Sequence, residues 1–293
     1  MIGYKVQKES LNIPILLLIF NRPDMTFKVF EEIKKCGPTK LFIAADGPRA
    51  NVAKDKEKCN QAREIIGQVD WNCEVKTLIR EHNLGCKVAV SSAIDWFFKN
   101  EEKGIILEDD ILPEPTFFRF CEELLEYYKD DKRIMMISGD NFQFGRNRRE
   151  YSYYFSRYSH VWGWASWRRA WNYYDINMKL WPEVRKNKLL FNILDNKRQV
   201  SYWSGIFEKA YKGKINSWDY QWLFACWLQN GLTILPGVNL VSNIGFGSNG
   251  THTKAKSILA NSERKHAGFP LSHPPCKFRD VMADRFTEKS QYS

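Results

Sequence analysis

Three consecutive acids, Glu108, Asp109 and Asp110, end the stretch "GIILEDD", and Pro113 and Pro115 follow shortly after. Adjacent carboxylates repel one another at a strand end, and a divalent cation that prefers oxygen ligands, magnesium or manganese, relieves that repulsion. Such a cation bridges to a diphosphate and neutralises charge on a departing nucleoside diphosphate, which is Lewis-acid chemistry. A solvated strand-to-helix turn, its acids complementing the next helix N-terminus, is the other reading of the triplet. Glu114 suits that role better than Asp110 does. A further carboxylate, Asp219, lies in "SWDYQW" (217–222) between Trp218 and Trp222. A hydroxyl that attacks as a nucleophile has a pKa far above neutral, so such chemistry needs a carboxylate to take its proton. Flanking tryptophans lower the local polarity and raise such a carboxylate's pKa. Capping the helix that follows is the alternative for Asp219.

The elements that must position these residues alternate. "IPILLLIF" (13–20), "KLFIAADG" (40–47), "CEVKTLIR" (73–80) and "GIILEDD" (104–110) read as strands, and the segments between them carry helical spacing. "TFFRFCEELLEYYKDD" reads as a helix and "RIMMISGD" (133–140) as a fifth strand. Alternating strands and helices predict a mainly parallel central sheet with right-handed crossovers. In such a sheet ligands sit beyond the carboxyl ends of the strands. Those ends carry Asn21-Arg22-Pro23, Asp46-Gly47-Pro48-Arg49, Arg80-Glu81-His82-Asn83 and the acidic triplet. All four are therefore expected at one crevice. Asp46 is either a ligand contact or ordinary Asp-Gly turn chemistry.

From Tyr151 to Tyr174 the chain is crowded with Tyr, Trp and Arg. Trp164, Trp167 and Trp171 fall at helical intervals and are expected in the core. Trp162 and Trp218 are expected on the wall of an acceptor pocket. "WDYQWLFACWLQNG" (218–231) reads as a helix and "LTILPGVNLVSNIG" (232–245) as strand-like. The glycine-rich "GFGSNGTHT" (245–253) ends near His252, a candidate to close over a diphosphate or add a metal ligand. The polar tail is expected to wrap the surface. The chain thus reads as one α/β domain: a donor-binding half over 1–140 and an aromatic-rich acceptor half with its tail over 141–293.

Composition narrows the class. With 293 residues, 44% hydrophobic and 27% charged, the chain can bury a large core. "IPILLLIF" is far shorter than the ~20 residues that span a bilayer, and no cleavage site follows it. A cytoplasmic location is the expectation. Seven cysteines at wide spacing, with no CxxC pair, predict reduced thiols. The net charge of +10 favours anionic partners, and Arg168 and Arg169 are candidates to hold the protein peripherally at the inner face of an anionic membrane. No GxGxxG follows the first strand and no P-loop motif occurs.

"IILEDDILPEPTFFRFCEELL" resembles the metal-binding segment of type A (GT-A) glycosyltransferases. It is most similar to the N-acetylglucosaminyltransferase I group and to bacterial glycosyltransferase-like proteins of lipopolysaccharide and capsule clusters. "LIFNRPD", "FIAADGPR", "REHNLGCKVAVSSAIDWFF" and "HVWGWASWRRAW" extend the resemblance over roughly Ile13 to Thr253. The resemblance implies a single Rossmann-like GT-A domain and a manganese or magnesium cofactor. It also implies a nucleotide-sugar donor, with UDP expected, and a glycan or lipid-linked glycan acceptor. Phe20, Asn21 and Arg22 would line the nucleotide, Asp46 would bond the base, and Arg80 and Asn83 would lie near ribose and diphosphate. Asp110 would ligate the metal directly, Asp109 would reach ribose or metal through water, and Glu108 would support the site. Asp219 would be the base, on a partial match. A sugar-nucleotidyltransferase is the runner-up, though "FNRPDMTFK" lacks the glycine-rich signature that chemistry usually brings. A nucleic-acid reader is a third reading, and sheet faces covered by helices would hide its stacking platform.

Overall fold

The protein is described here by a computed structural model covering residues 11–146, 150–246, 259 and 261–292. The chain opens with β1 (Ile15–Ile19), α1 (Pro23–Cys36), β2 (Lys40–Ala45), α2 (Asp55–Arg63), β3 (Glu74–Ile79), α3 (Gly85–Asn100) and β4 (Lys103–Glu108). Next come β5 (Ile111–Pro113), α4 (Thr116–Tyr127), β6 (Ile134–Ser138), β7 (Tyr153–Ser156), β8 (Trp164–Trp167) and α5 (Arg168–Trp171). Helices α6 (Trp181–Lys186), α7 (Lys197–Tyr211) and α8 (Asp219–Leu228) precede β9 (Leu232–Pro236), β10 (Val241–Asn243) and α9 (Val281–Gln291).

Among the described residues, eight strands form one sheet in the order β3-β2-β1-β4-β8-β6-β9-β7. The first four and the β6–β9 pair run parallel, while β8 and β7 are antiparallel to their neighbours. The expected α/β class with a mainly parallel central sheet is what the chain adopts. Strands after residue 140 complete the sheet begun before it. β1 alternates cleanly: Ile15, Leu17 and Ile19 join one core with Val29, Phe30, Phe117 and Leu124, whereas Leu16 and Leu18 join Ile94, Phe97, Trp171 and Trp222 on the opposite face. Both faces are covered, so the sheet offers no open stacking platform among the described residues.

Two expectations are corrected. Trp164 and Trp167 lie on strand β8, not on a helix, although both are buried as expected. β8 is inserted between β4 and β6 and is buried throughout, Ser166 included, so its residues show no alternation of buried and exposed positions. The two rings sit in the cores on opposite faces of the sheet. The polar tail does cross the surface, but it ends in helix α9. No disulfide joins any two of the seven cysteines, all of which lie among the described residues. Among the described residues no helix is long and apolar enough to cross a membrane.

Candidate functional site

Strand register brings the carboxyl ends together. β1 lies between β2 and β4, with Ile19 opposite Ala45 and Leu18 opposite Glu108. The backbone N–H of Phe20 donates to Asp109 Oδ2 at 3.0 Å, and that of Asp46 donates to the Ile19 carbonyl at 3.1 Å. A cleft of about 580 Å³ opens beyond these ends. Its strand-end wall carries Phe20, Arg22, Asp46, Arg80 and Asn83 together with Glu108, Asp109 and Asp110. The second half of the chain supplies Trp162, Trp218 and Asp219. Asn21 is not among the lining residues: its Nδ2 donates to Asp55 Oδ1 at 2.6 Å. His252 lies outside the described residues.

The acidic triplet is held by Arg22. Its Nη1 lies 2.5 Å from Asp110 Oδ2 and 3.3 Å from Asp109 Oδ1. One guanidinium does not balance three carboxylates. Enclosure by protein, then Asp110 and Asp109, and then Asp219 across the cleft push the Glu108 carboxyl up from its usual range. Enclosure and Asp110 do the same to Asp109, against the pull of Arg22. The donor set, all carboxylate oxygen with excess negative charge, fits a hard divalent cation. The chain passes close to the triplet at Gly245, where an ideal Cβ would lie 2.8 Å from the Asp110 Cβ and Cγ. The acids are turned to Arg22 and to the Phe20 N–H, and among the described residues no three acid, histidine or cysteine side chains are gathered in metal-ligating geometry. Glu114 serves the turn beyond: its Oε2 accepts the Thr116 N–H at 2.7 Å at the start of α4.

The side holding Asp46, Arg80 and Asn83 is more structural than the residue types suggest. Asp46 Oδ1 accepts the N–H groups of Gly47 and Leu84, and Oδ2 accepts Asn83 Nδ2 at 2.8 Å. Asp46 and Asn83 thus tie the turn after β2 to the turn after β3. Gly47 is packed against the His82 backbone, which leaves no space for a side chain there. Arg80 differs. Its Nη2 donates to Ser92 Oγ at 2.7 Å, and among the described residues no carboxylate pairs with it. Burial lowers its pKa against the opposing pull of the Asp46 charge, so a guanidinium stands in the cleft short of solvation.

On the opposite wall, Asp219 opens α8 and accepts a hydrogen bond from Ser217 Oγ. Trp218 is only 2% exposed and stacks on Trp164 with centroids 5.5 Å apart, so its ring forms the floor of this wall and offers no stacking face. Trp162 is half-buried and meets Phe246 edge-on at 5.6 Å. It precedes Gly163, whose φ of +58° and contact with Val241 demand glycine. Arg168 and Arg169 are spent internally. Arg168 donates to the Phe98 carbonyl, and Arg169 reaches the carbonyls of Tyr128, Lys129, Asp131 and Ile134. Both side chains remain partly exposed.

Sequence reasoning missed Asn216, Gly245 and the Arg49–Asp55 pair. Asn216 Oδ1 accepts the Lys87 N–H at 3.0 Å and links the α8 wall to the start of α3. Its position two residues before Trp218 was the available signal. Arg49 pairs with Asp55 at 2.6 Å and lies over the Phe20 ring at 5.4 Å.

No family model matches the chain, and neither does any curated protein. Several solved structures are similar in outline. Residues 1–349 of TarS from S. aureus align at 9% identity over 78% of this chain and 59% of that one, with a TM-score of 0.45. UDP-glucose pyrophosphorylase complexed with UDP-glucose aligns at 10% identity over 77% and 90%, TM-score 0.39. HddC from Yersinia pseudotuberculosis aligns at 11% identity over 54% and 77%, TM-score 0.33. Likenesses at this level carry neither residues nor activities across.

Proposed function

We propose that the chain is a glycosyltransferase that moves a sugar from a nucleoside-diphosphate donor, expected to be a UDP-sugar, to a hydroxyl of a glycan or lipid-linked glycan. One observation supports this most: the acidic triplet and Asp219 face each other across a single cleft, closely enough that Asp219 helps raise the Glu108 carboxyl. Phe20 and Arg49 form an aromatic and cationic edge against which a base can lie. Arg80, without a carboxylate partner among the described residues, is suited to the donor's phosphates. Asp110, with Asp109, would hold a manganese or magnesium ion, which when bound supplies Lewis-acid neutralisation of the leaving diphosphate. Asp219, fixed by Ser217 at the start of α8, takes the proton of the attacking hydroxyl, the arrangement of an inverting enzyme. Trp162 and Phe246 border the side open to an acceptor. The net charge of +10 suits an anionic membrane surface that presents a lipid-linked acceptor.

The test is thermal stabilisation by nucleoside diphosphates with and without manganese, followed by transfer from a panel of nucleotide sugars. Ligand binding to the folded chain raises its melting temperature. Asp219→Asn should keep the nucleotide shift and lose about 100-fold or more in turnover, and Asp110→Ala should lose the manganese-dependent part of the shift. Full turnover in either variant removes the role assigned to it. Pyrophosphate release from a nucleoside triphosphate would instead make the protein a sugar-nucleotidyltransferase.

A further inference from the structure

We propose that Arg22 and a divalent cation compete for Asp110, so that entry of the cation transfers the Arg22 guanidinium from the carboxylates to the donor's diphosphate. The proposal rests on the nucleotide-sugar reading above and adds a coupling between cation and nucleotide.

The geometry is specific. Arg22 Nη1 approaches Asp110 Oδ2 at 2.5 Å, the oxygen that faces Gly245. The side chain is 17% exposed, so it reaches the cleft with a charge that little solvent screens. Its backbone is fixed. The Arg22 carbonyl accepts the N–H groups of Met25 and Thr26 and the Thr26 hydroxyl, and Pro23 follows at the first position of α1. A residue before proline is held out of the helical region, and the observed φ of −123° and ψ of 68° lie outside it. Movement is therefore confined to the side-chain torsions, which leave a guanidinium on a short arc at the end of β1.

A guanidinium and a divalent cation on the same carboxylate oxygen weaken each other's hold, because like charges within 4 Å repel strongly where water is scarce. The displaced guanidinium needs a new anion. The nearest that the bound donor brings is its diphosphate, whose oxygens match the planar fork that a carboxylate matched before. The exchange conserves charge pairing: carboxylate moves from arginine to metal, and arginine moves from carboxylate to phosphate. It makes cation and nucleotide binding mutually favourable, because either one alone leaves Arg22 or the acids poorly matched.

The experiment measures manganese binding by the loss of the free-ion paramagnetic resonance signal, with and without UDP, on the full chain. Wild type should bind manganese weakly alone and about 10-fold or more tightly with UDP, in the ordinary range of coupling between two sites. Arg22→Gln should bind manganese about 10-fold more tightly than wild type without UDP and lose most of the UDP enhancement. Arg22→Lys keeps the charge and should keep manganese binding weak without UDP, which separates competition from a folding defect. Unchanged manganese affinity in Arg22→Gln, with UDP binding retained, overturns the competition and leaves the glycosyltransferase reading standing. If wild type binds no nucleoside diphosphate at any manganese concentration, the underlying reading fails first.

Discussion

At Gly245 the missing side chain is what lets the chain pass Asp110. Ile244 donates its N–H to the Asp110 carbonyl at 2.8 Å, and the following residue passes so close to the Asp110 side chain that a methyl group would meet its Cβ and Cγ at 2.8 Å. Contacts that short are not tolerated without movement, and the rotatable carboxylate yields before the paired backbone does. Gly245→Ala should therefore push Asp110 off its position at about 1–3 kcal/mol in stability. Manganese-dependent nucleotide binding should fall about 10-fold or more if Asp110 is the ligand. Gly67→Ala is the comparison, since nothing lies within 4 Å of its added methyl and a gain of up to ~1 kcal/mol is expected there. Calorimetric titration of both variants checks this, and equal binding by the two would show that Asp110 needs no fixed place. The triplet was legible in the sequence because three adjacent acids after an apolar run are chemically conspicuous. Gly245 was not, because a glycine in a glycine-rich loop reads as freedom, while its actual constraint is an approach to a residue 135 positions earlier.

The elements show why strand ends were legible and their partners were not. Apolar runs with helical segments between them identify β1 to β4 and their common edge, and the register then places Phe20, Asp46 and Asp109 side by side. What the pattern does not carry is which polar residue each end will choose. Asn21 reads as a nucleotide contact from its neighbours, yet Asp55, the first residue of α2, takes its side chain. Asp55 also accepts Arg49 Nε at 2.6 Å and Arg49 Nη2 at 2.9 Å, which closes the turn after β2 beneath the Phe20 ring. The Arg49 hydrogen bond, with help from Asn21, lowers the Asp55 pKa to about 2. A folded-state pKa below the unfolded value contributes stability above the ordinary carboxylate range, and that stability is lost as pH falls through the folded value. The Arg49 side chain is 44% exposed, so solvent screening reduces the benefit to about 1 kcal/mol. Asp55→Asn should cost that amount at pH 7 and almost nothing near pH 2, as read from denaturant midpoints at the two pH values. A loss independent of pH would assign the effect to packing and not to the charge.

Across the whole molecule, the second half of the chain does two jobs. It adds β8 on one side of β6 and β9 and β7 on the other, and it builds a third core from Tyr158, Trp181, Trp203, Phe207 and Trp227, with Tyr292 packed against it. Helix α9 joins that core to the sheet edge, and it does so largely through charge. Arg157, 3% exposed, follows β7 and lies 3.4 Å from Asp284 and 3.5 Å from Glu288 of α9, and 3.2 Å from Asp195. Ser156 Oγ and Tyr158 OH donate to the same two α9 carboxylates. This explains why α9 was illegible: "VMADRFTEKSQ" buries an aspartate, a threonine and a glutamate, so the helix has no apolar stripe to read. Burial pushes the Asp284 carboxyl up despite Arg157, which marks how costly the site is without its cation. Removing one partner of a buried pair leaves an uncompensated charge, whereas removing the charges together can be nearly neutral. Arg157→Met alone should therefore destabilise by about 3–5 kcal/mol. The triple variant Arg157→Met, Asp284→Asn, Glu288→Gln should recover most of that loss, measured as the urea midpoint at constant slope. If single and triple variants lose the same stability, packing around Arg157 and not ion pairing holds α9 in place.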